Sequence, residues 1–163
     1  MANPVLDNIR RLLADEGVPF REVQHVPTYT SEESAKARGE DLHTGGKALL
    51  LKTGDTFRLF VLPADRKLDS VAVKRRFGIK KVRFATADEL KELTGLVPGS
   101  VPPFGPPVLP FEVYVDDAIR ANERIAFNAG SLTDSIILAT ADYLAVVKPT
   151  LFTFSVPPPE PER

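Results

Sequence analysis

Apolar residues recur at helical spacing after Asn3-Pro4, at Val5, Leu6, Ile9, Leu12 and Leu13, and the pattern stops before Gly17. This period predicts a helix to about Glu16, opened by proline, closed by glycine, with one face made for a sheet. Pro19 to His25 carries Phe20 and Val23 in alternation with polar residues and predicts a short strand that Pro27 ends. In Thr30-Ser31-Glu32-Glu33 a hydroxyl precedes two carboxylates, a helix start, and the helix predicted from there to Arg38 is short and polar. A loop over residues 39–44 leads to Gly45.

The period then becomes that of a buried strand. Ala48 to Leu51 is an unbroken apolar core between the Gly45-Gly46 pair and the Gly54-Asp55 turn, and Thr56 to Leu62 supplies its hairpin partner. The spacing next predicts a helix near residues 68–77, with Leu68, Val71, Val73 and Phe77 inward and Gly78 at its end. A brief strand over 81–85 and a helix from the Thr86 cap through Leu93 follow. Both periods then vanish. Gly95 to Pro107 holds five prolines and three glycines, which excludes helix and central strand, yet Leu96, Val97, Val101 and Phe104 make it too apolar for a free linker. A long, stiff, partly buried loop of this kind is a candidate for function. Strands are predicted at Phe111–Val115, Arg124–Phe127 and Ser135–Leu138, with a turn or short helix over Asp116–Ala121 and a helix to Val147 capped by Thr140-Ala141-Asp142. Leu151–Phe154 reads as a last strand or a packed tail. The whole is expected to be one domain over residues 1–155 with a disordered tail over 156–163.

One residue stands out from this pattern. Lys47 puts an ammonium where the strand asks for an apolar side chain, beside two glycines that offer no side chains to cover it. A ligand's backbone could approach there; the local pattern equally admits a strand-end lysine in solvent.

Composition narrows the chemistry. The chain has 163 residues, 43% of them hydrophobic, and no apolar run near the roughly 20 residues of a membrane span. With no basic-then-apolar leader, it reads as a soluble, non-exported, cytoplasmic protein. It has no cysteine and two histidines, His25 and His43, with no closely spaced set of His and carboxylates, so neither a metal nor another cofactor is expected. His25 is the one plausible histidine base, but a single histidine after a strand reads as structural. Net charge is -1, strongly segregated: residues 66–83 carry +7 and the remainder -8. Lys74, Arg75 and Arg76 lie at the centre of the basic block, which suits either a polyanion or a solvated helix face.

Three segments together resemble the YbaK/EbsC family, free-standing aminoacyl-tRNA deacylases related to the editing domain inserted in bacterial prolyl-tRNA synthetases. They are GGKALLL around Lys47, LTGLVPGSVPPFG over Leu93–Gly105, and IAFNAGSLTDSIIL over Ile125–Leu138. HVPTYTSEESAKARG, His25–Gly39, adds a weaker likeness, and Pro102 and Ser131 depart from the family's pattern. The resemblance implies an α+β fold, a mixed, mostly antiparallel sheet forming a partial barrel surrounded by helices, with a pocket at one end. It implies that Lys47 is the functional lysine, that Gly99, Phe104, Gly105, Asn128 and Gly130 wall the pocket, and that the substrate is a small amino acid such as Ala or Cys, expected on tRNA-Pro. A tRNA 3′ end and a prolyl-tRNA synthetase are the implied partners, and the basic block, through Lys74, Arg75 and Arg76, would then be the tRNA contact. Amides plus one ammonium would suit an ester carbonyl and a phosphate, and a proline-stiffened apolar wall would select by size. Two other functions stay open for such a fold: a non-catalytic module binding tRNA ends or a synthetase, and a small-molecule binder.

Overall fold

The computed structural model describes residues 3–158. Helix α1, Pro4–Asp15, starts where the Asn3 side chain accepts from the Leu6 amide at 3.0 Å and buries Leu6, Ile9 and Leu13. Strand β1, Arg21–Gln24, is followed by α2, Ser31–Arg38. A reciprocal capping box opens α2, in which Thr30 accepts from the Glu33 amide and Glu33 reaches back to the Thr30 amide. Strands β2, Gly46–Thr53, and β3, Thr56–Pro63, form the expected hairpin, in which Lys47 pairs with Leu62 and Thr53 with Thr56. After β4, Lys67–Leu68, come α3, Ser70–Phe77, then β5, Val82–Phe84, and α4, Ala87–Thr94, which Thr86 and Glu89 cap as the sequence predicts. The chain ends in β6, Val113–Asp116, β7, Arg124–Asn128, β8, Asp134–Ala139, α5, Thr140–Val147, β9, Thr150–Phe152, and β10, Ser155–Val156.

The strands form three sheets. A five-stranded mixed sheet has the order β5-β2-β3-β6-β9, an antiparallel three-stranded sheet the order β1-β8-β7, and β10 pairs with β4. The fold is therefore α+β with a mixed sheet, but the sheets do not close; an isolated parallel bridge between Gly45 and Ala126 joins the two larger ones. Alternation along the large sheet buries both of its faces. Leu50, Leu59, Val61, Val113 and Val115 pack with α1, α4, α5 and the three-stranded sheet. Leu51, Phe60, Leu62 and Tyr114 pack beneath α3 against Val73 and Phe154. On this second face Tyr114 stacks on Phe60 at 5.3 Å, and Phe77 meets the Tyr114 ring edge-on at 5.1 Å.

Some expectations give way to packing. Val71 is 57% exposed, because α3 begins at Ser70 under an Asp69 cap and turns Ala72, Val73 and Phe77 to the sheet. Ala139 is the N-cap of α5, no side chain caps it, and the buried hydroxyl of Thr140 has no hydrogen-bond partner among the described residues. Val156, placed in the tail by the sequence reading, is the last residue of β10 and pairs with Lys67. The rest of that tail, from residue 159, lies outside the described residues.

The proline-rich loop is held from below. The hydroxyl of Tyr143, on α5 and fully buried, donates to the Pro103 carbonyl at 2.6 Å, and this burial raises its pKa. Glu40 links the two edges of the three-stranded sheet, accepting from Arg124 at 3.0 Å and from Arg21 at 3.1 Å. Those hydrogen bonds, Arg124's foremost, hold its carboxyl below the usual carboxylate range. No helix among the described residues is long and apolar enough to cross a membrane.

Candidate functional site

A cavity of about 480 Å³ opens where α2, the start of β2, the proline-rich loop and the β7–β8 turn meet. Thr28, Tyr29, Ser34 and Arg38 form one side, Gly45 to Leu49 the base, Gly99 and Val101 the opposite side, and Asn128 and Leu132 close the end. Its size is that of a small-molecule site.

The start of β2 presents unusual backbone to this space. β5 pairs only with Leu51–Thr53, and the bridge to β7 lies at Gly45, so among the described residues the outer edge of Lys47–Leu49 has no strand neighbour. The Leu50 carbonyl points to that side, where it accepts from Ala85 at 2.9 Å. Two residues earlier, the amide and carbonyl of Ala48 point the same way, into the open. Lys47 is exposed and lines the cavity, and its side chain has no hydrogen bond or ion pair among the described residues.

The opposite cation is buried. Arg38, 8% exposed, donates from Nε to Ser135 Oγ at 2.9 Å and from Nη2 to Asn128 Oδ1 at 3.0 Å. Asn128 in turn donates from Nδ2 to the Gly99 carbonyl at 2.8 Å, so the guanidinium, the β7 end and the proline-rich loop are one hydrogen-bonded unit. Desolvation draws the Arg38 pKa down to about 10, with the Glu40 charge opposing the shift, so the group stays charged at neutral pH. His25 Nε2 lies 2.8 Å from Ser135 Oγ, while its Nδ1 donates to the Val26 carbonyl at 2.9 Å. With Nδ1 donating, Nε2 of the neutral ring is an acceptor, so it and Asn128 Oδ1, 3.2 Å from Ser135 Oγ, compete for the single proton of the Ser135 hydroxyl. This serine–histidine pair is not a nucleophilic dyad for the cavity: Ser135 is 1% exposed and lies outside the lining, with Arg38 and Asn128 as its cavity-side neighbours.

Of the residues the sequence suggests, Lys47, Gly99 and Asn128 share this cavity. Phe104 does not: it is 1% exposed, packed edge-on against Phe127 at 5.3 Å and Tyr143 at 5.6 Å, and belongs to the core. Gly105 is pressed against the entry to β6, where a Cβ would stand 2.7 Å from the Phe111 carbonyl oxygen and 2.9 Å from Val113 Cγ2, and it lines a separate cavity of about 100 Å³. Gly130, at φ +83°, faces α1, where a Cβ would meet Asn3 Oδ1 and Val5 Cβ at 2.9 Å. The wall is also more polar than a proline-stiffened apolar one. Thr28 Oγ1 and Ser34 Oγ are both buried and lie 2.7 Å apart.

Sequence reading passed over Arg38, Thr28 and Ser34, all within its weaker segment. The available signal was Ser34 and Arg38 one helical turn apart, a polar stripe on a helix too short to need one.

Lys74, Arg75 and Arg76 sit in the last turn of α3, apart from the cavity lining, where cations also offset the helix dipole. The basic block is partly engaged. Arg66 donates to Ser155 Oγ at 2.7 Å, Arg83 forks onto Glu89 at 2.7 and 3.0 Å, and the Arg76 guanidinium lies 5.2 Å from the centre of the Phe152 ring. Lys67, Lys74, Arg75, Lys80 and Lys81 have no ion pair among the described residues. No group of three or more potential metal-ligating side chains occurs among the described residues.

Comparison with known proteins converges on one family. The model of the aminoacyl-tRNA editing domain matches residues 25–146. The Ser/Thr-tRNA deacylase ProXp-y of Escherichia coli is 37% identical over 149 residues, covering 88% of each chain. The prolyl-tRNA editing protein ProX of Acetoanaerobium sticklandii is 28% identical over 137 residues, covering 81% of this chain and 84% of that one. A proline–tRNA ligase of Shouchella clausii is 36% identical over 100 residues, 61% of this chain but 17% of the ligase. A solved structure described as a candidate trans-editing enzyme for prolyl-tRNA synthetase superposes with a TM-score of 0.81 at 23% identity, covering 96% of this chain and 99% of that one, a likeness of fold. The cavity built around Lys47 thus lies within the matched segment, and the chain belongs to the aminoacyl-tRNA editing domain family.

Proposed function

We propose that the chain is a trans-editing deacylase that hydrolyses the ester between a small amino acid and the terminal adenosine of a tRNA, in the cavity between α2 and the start of β2. The observation that carries this reading is the juxtaposition of the exposed Lys47 ammonium, the open Ala48 backbone edge and the Gly99 and Asn128 walls in one cavity. An aminoacyl ester is already activated, so positioning and charge stabilisation can supply much of the rate. Lys47 acts as an electrostatic anchor and not as a nucleophile. The attacking group is a water or the substrate's own neighbouring hydroxyl.

The cavity also bears on which amino acid is removed. Ala or Cys suits an apolar pocket, whereas Thr28 and Ser34 present hydroxyls with acceptor capacity beyond their mutual bond. That wall favours a small hydroxylated side chain, Ser or Thr, in keeping with the activity named for the E. coli relative. The test is a panel of one tRNA charged in turn with Ser, Thr, Ala and Cys: the hydroxylated pair should be hydrolysed faster, and preference for Ala or Cys would refute the assignment. Which tRNA is served, tRNA-Pro included, is read from the same assay with the tRNA varied. A prolyl-tRNA synthetase is the partner suggested by the ligase that contains a matching segment.

The α3 cations hold the tRNA body in this account. Changing Lys74, Arg75 and Arg76 together to Ala should weaken binding of every tRNA about equally and flatten its salt dependence by roughly one slope unit per lost phosphate contact. Amino-acid selectivity should not move. Identical salt slopes for wild type and variant would show that these cations form only a solvated face.

A further inference from the structure

Arg38 is the feature of the cavity that the family likeness leaves unexplained. A guanidinium that is 8% exposed normally faces a carboxylate, yet no carboxylate of the described residues lies within ion-pair distance; Glu40 is engaged by Arg21 and Arg124 instead. Two of its nitrogens are fixed, Nε by Ser135 and Nη2 by Asn128. The remaining Nη1 has no hydrogen bond among the described residues and is not enclosed. It stands beside Gly45 on the cavity base, 3.6 Å from where a Cβ on that glycine would be. A charge so held is pre-aimed at the space, with one edge left for an incoming oxygen.

Its position selects which oxygen. Ser34, one helical turn before Arg38, lies on the wall assigned above to the amino-acid side chain, so Arg38 borders the amino-acid end of the substrate. Lys47, exposed, is suited to a phosphate that stays hydrated.

We propose that Arg38 is a catalytic residue whose Nη1 edge binds the carbonyl oxygen of the aminoacyl ester as that oxygen becomes anionic, with Ser135 and Asn128 as the positioning residues that aim it. This inference rests on the deacylation reading of the same cavity. As water adds to the carbonyl carbon, the carbonyl π pair moves onto oxygen and is met by the guanidinium. When the C=O bond re-forms, the ester C–O bond breaks, and the ribose oxygen leaves with the proton given up by the water. One water is consumed, and a free amino acid and an uncharged tRNA result. A fixed, desolvated donor pays no reorganisation cost at the moment of reaction.

The experiment compares wild type, Arg38→Lys and Arg38→Gln on Ser-charged tRNA and on 3′-O-seryl-adenosine, which has no phosphate, with thermal melting as the fold control. Arg38→Gln should lower kcat on the order of 100-fold on both substrates with KM little changed. Arg38→Lys, which keeps the charge but not the fork, should recover part of the rate. A purely structural bridge between α2 and β7 predicts equal losses for the two variants, because lysine and glutamine both still offer a donor to Asn128, and equal rates overturn the proposal. Wild-type rates in a folded Arg38→Gln protein overturn it as well, and so does a loss confined to the full tRNA, which would place Arg38 on a phosphodiester. If Arg38→Gln does not fold, Ser135→Ala is measured, which removes one aiming contact and leaves the charge. A lowered kcat at unchanged KM supports the proposal, and an unchanged kcat refutes it. Inactivity of the wild type itself would overturn the deacylation reading first, so the two failures are distinguishable.

Discussion

Lys47→Ala is expected to leave the protein folded and to lower deacylation about 100-fold or more, because loss of the anchor for the tRNA end misplaces the ester, and a shift of about 1 Å can cost that much. The side chain is exposed and contributes little packing, while the backbone of residue 47 pairs with Leu62 whatever side chain it carries. Stability should therefore change by less than about 0.5 kcal/mol, as for other surface substitutions. Single-turnover rates on one charged tRNA, with melting curves for both proteins, make the comparison. Full activity in a folded Lys47→Ala protein would remove Lys47 from the mechanism and leave it a strand-end lysine in solvent.

Gly99→Val is expected to have an effect of similar size by another route. Gly99 lines the cavity at φ +88°, and its carbonyl accepts from Asn128. A Cβ there would meet only Leu132 Cδ2, at the ordinary contact distance of 3.4 Å, so the branched side chain fits the fold but strains the turn and takes up cavity space. The left-handed backbone costs a β-branched residue about 1–2 kcal/mol, which a stable domain survives. Turnover should fall on the order of 100-fold, since displacing a positioning group by about 1 Å can cost that much. Gly130→Val makes the contrast. Its Cβ collides with the Asn3 cap and with Val5, so loss of stability, not blocked entry, is its expected result. Normal turnover in Gly99→Val, or a normally stable Gly130→Val protein, would mean that the proline-rich loop and the β7–β8 turn are arranged differently from this account.

What was legible in the sequence was whatever is set within a few residues. The α1 stripe, the two capping boxes and the Gly54-Asp55 turn each depend on local geometry, and each element lies where the pattern places it. The Lys47 anomaly was legible for the same reason, since one charge interrupts a strand period. The cavity was not, because its members meet across the fold. Arg38 reaches Asn128 and Ser135 over separations of 90 and 97 residues, and nothing near position 38 announces those partners. Phe104 and Gly105 show the converse error. A Pro/Gly loop suggests exposed backbone, but Tyr143 ties this one down from α5 and turns Phe104 into the core. Val71 fails in a smaller way: a one-residue choice of where α3 begins decides which side chains of a two-turn helix face inward.

The most direct test of hydrolysis in the Lys47 cavity is release of the amino acid from Ser-charged tRNA by the purified protein, followed in parallel for wild type and for Lys47→Ala. Rapid release is expected from the wild type and release slower by about 100-fold or more from the variant, with both proteins binding uncharged tRNA through α3. Binding without hydrolysis by the wild type, across tRNAs charged with Ser, Thr, Ala and Cys, would contradict it and leave a tRNA-end binding module in its place.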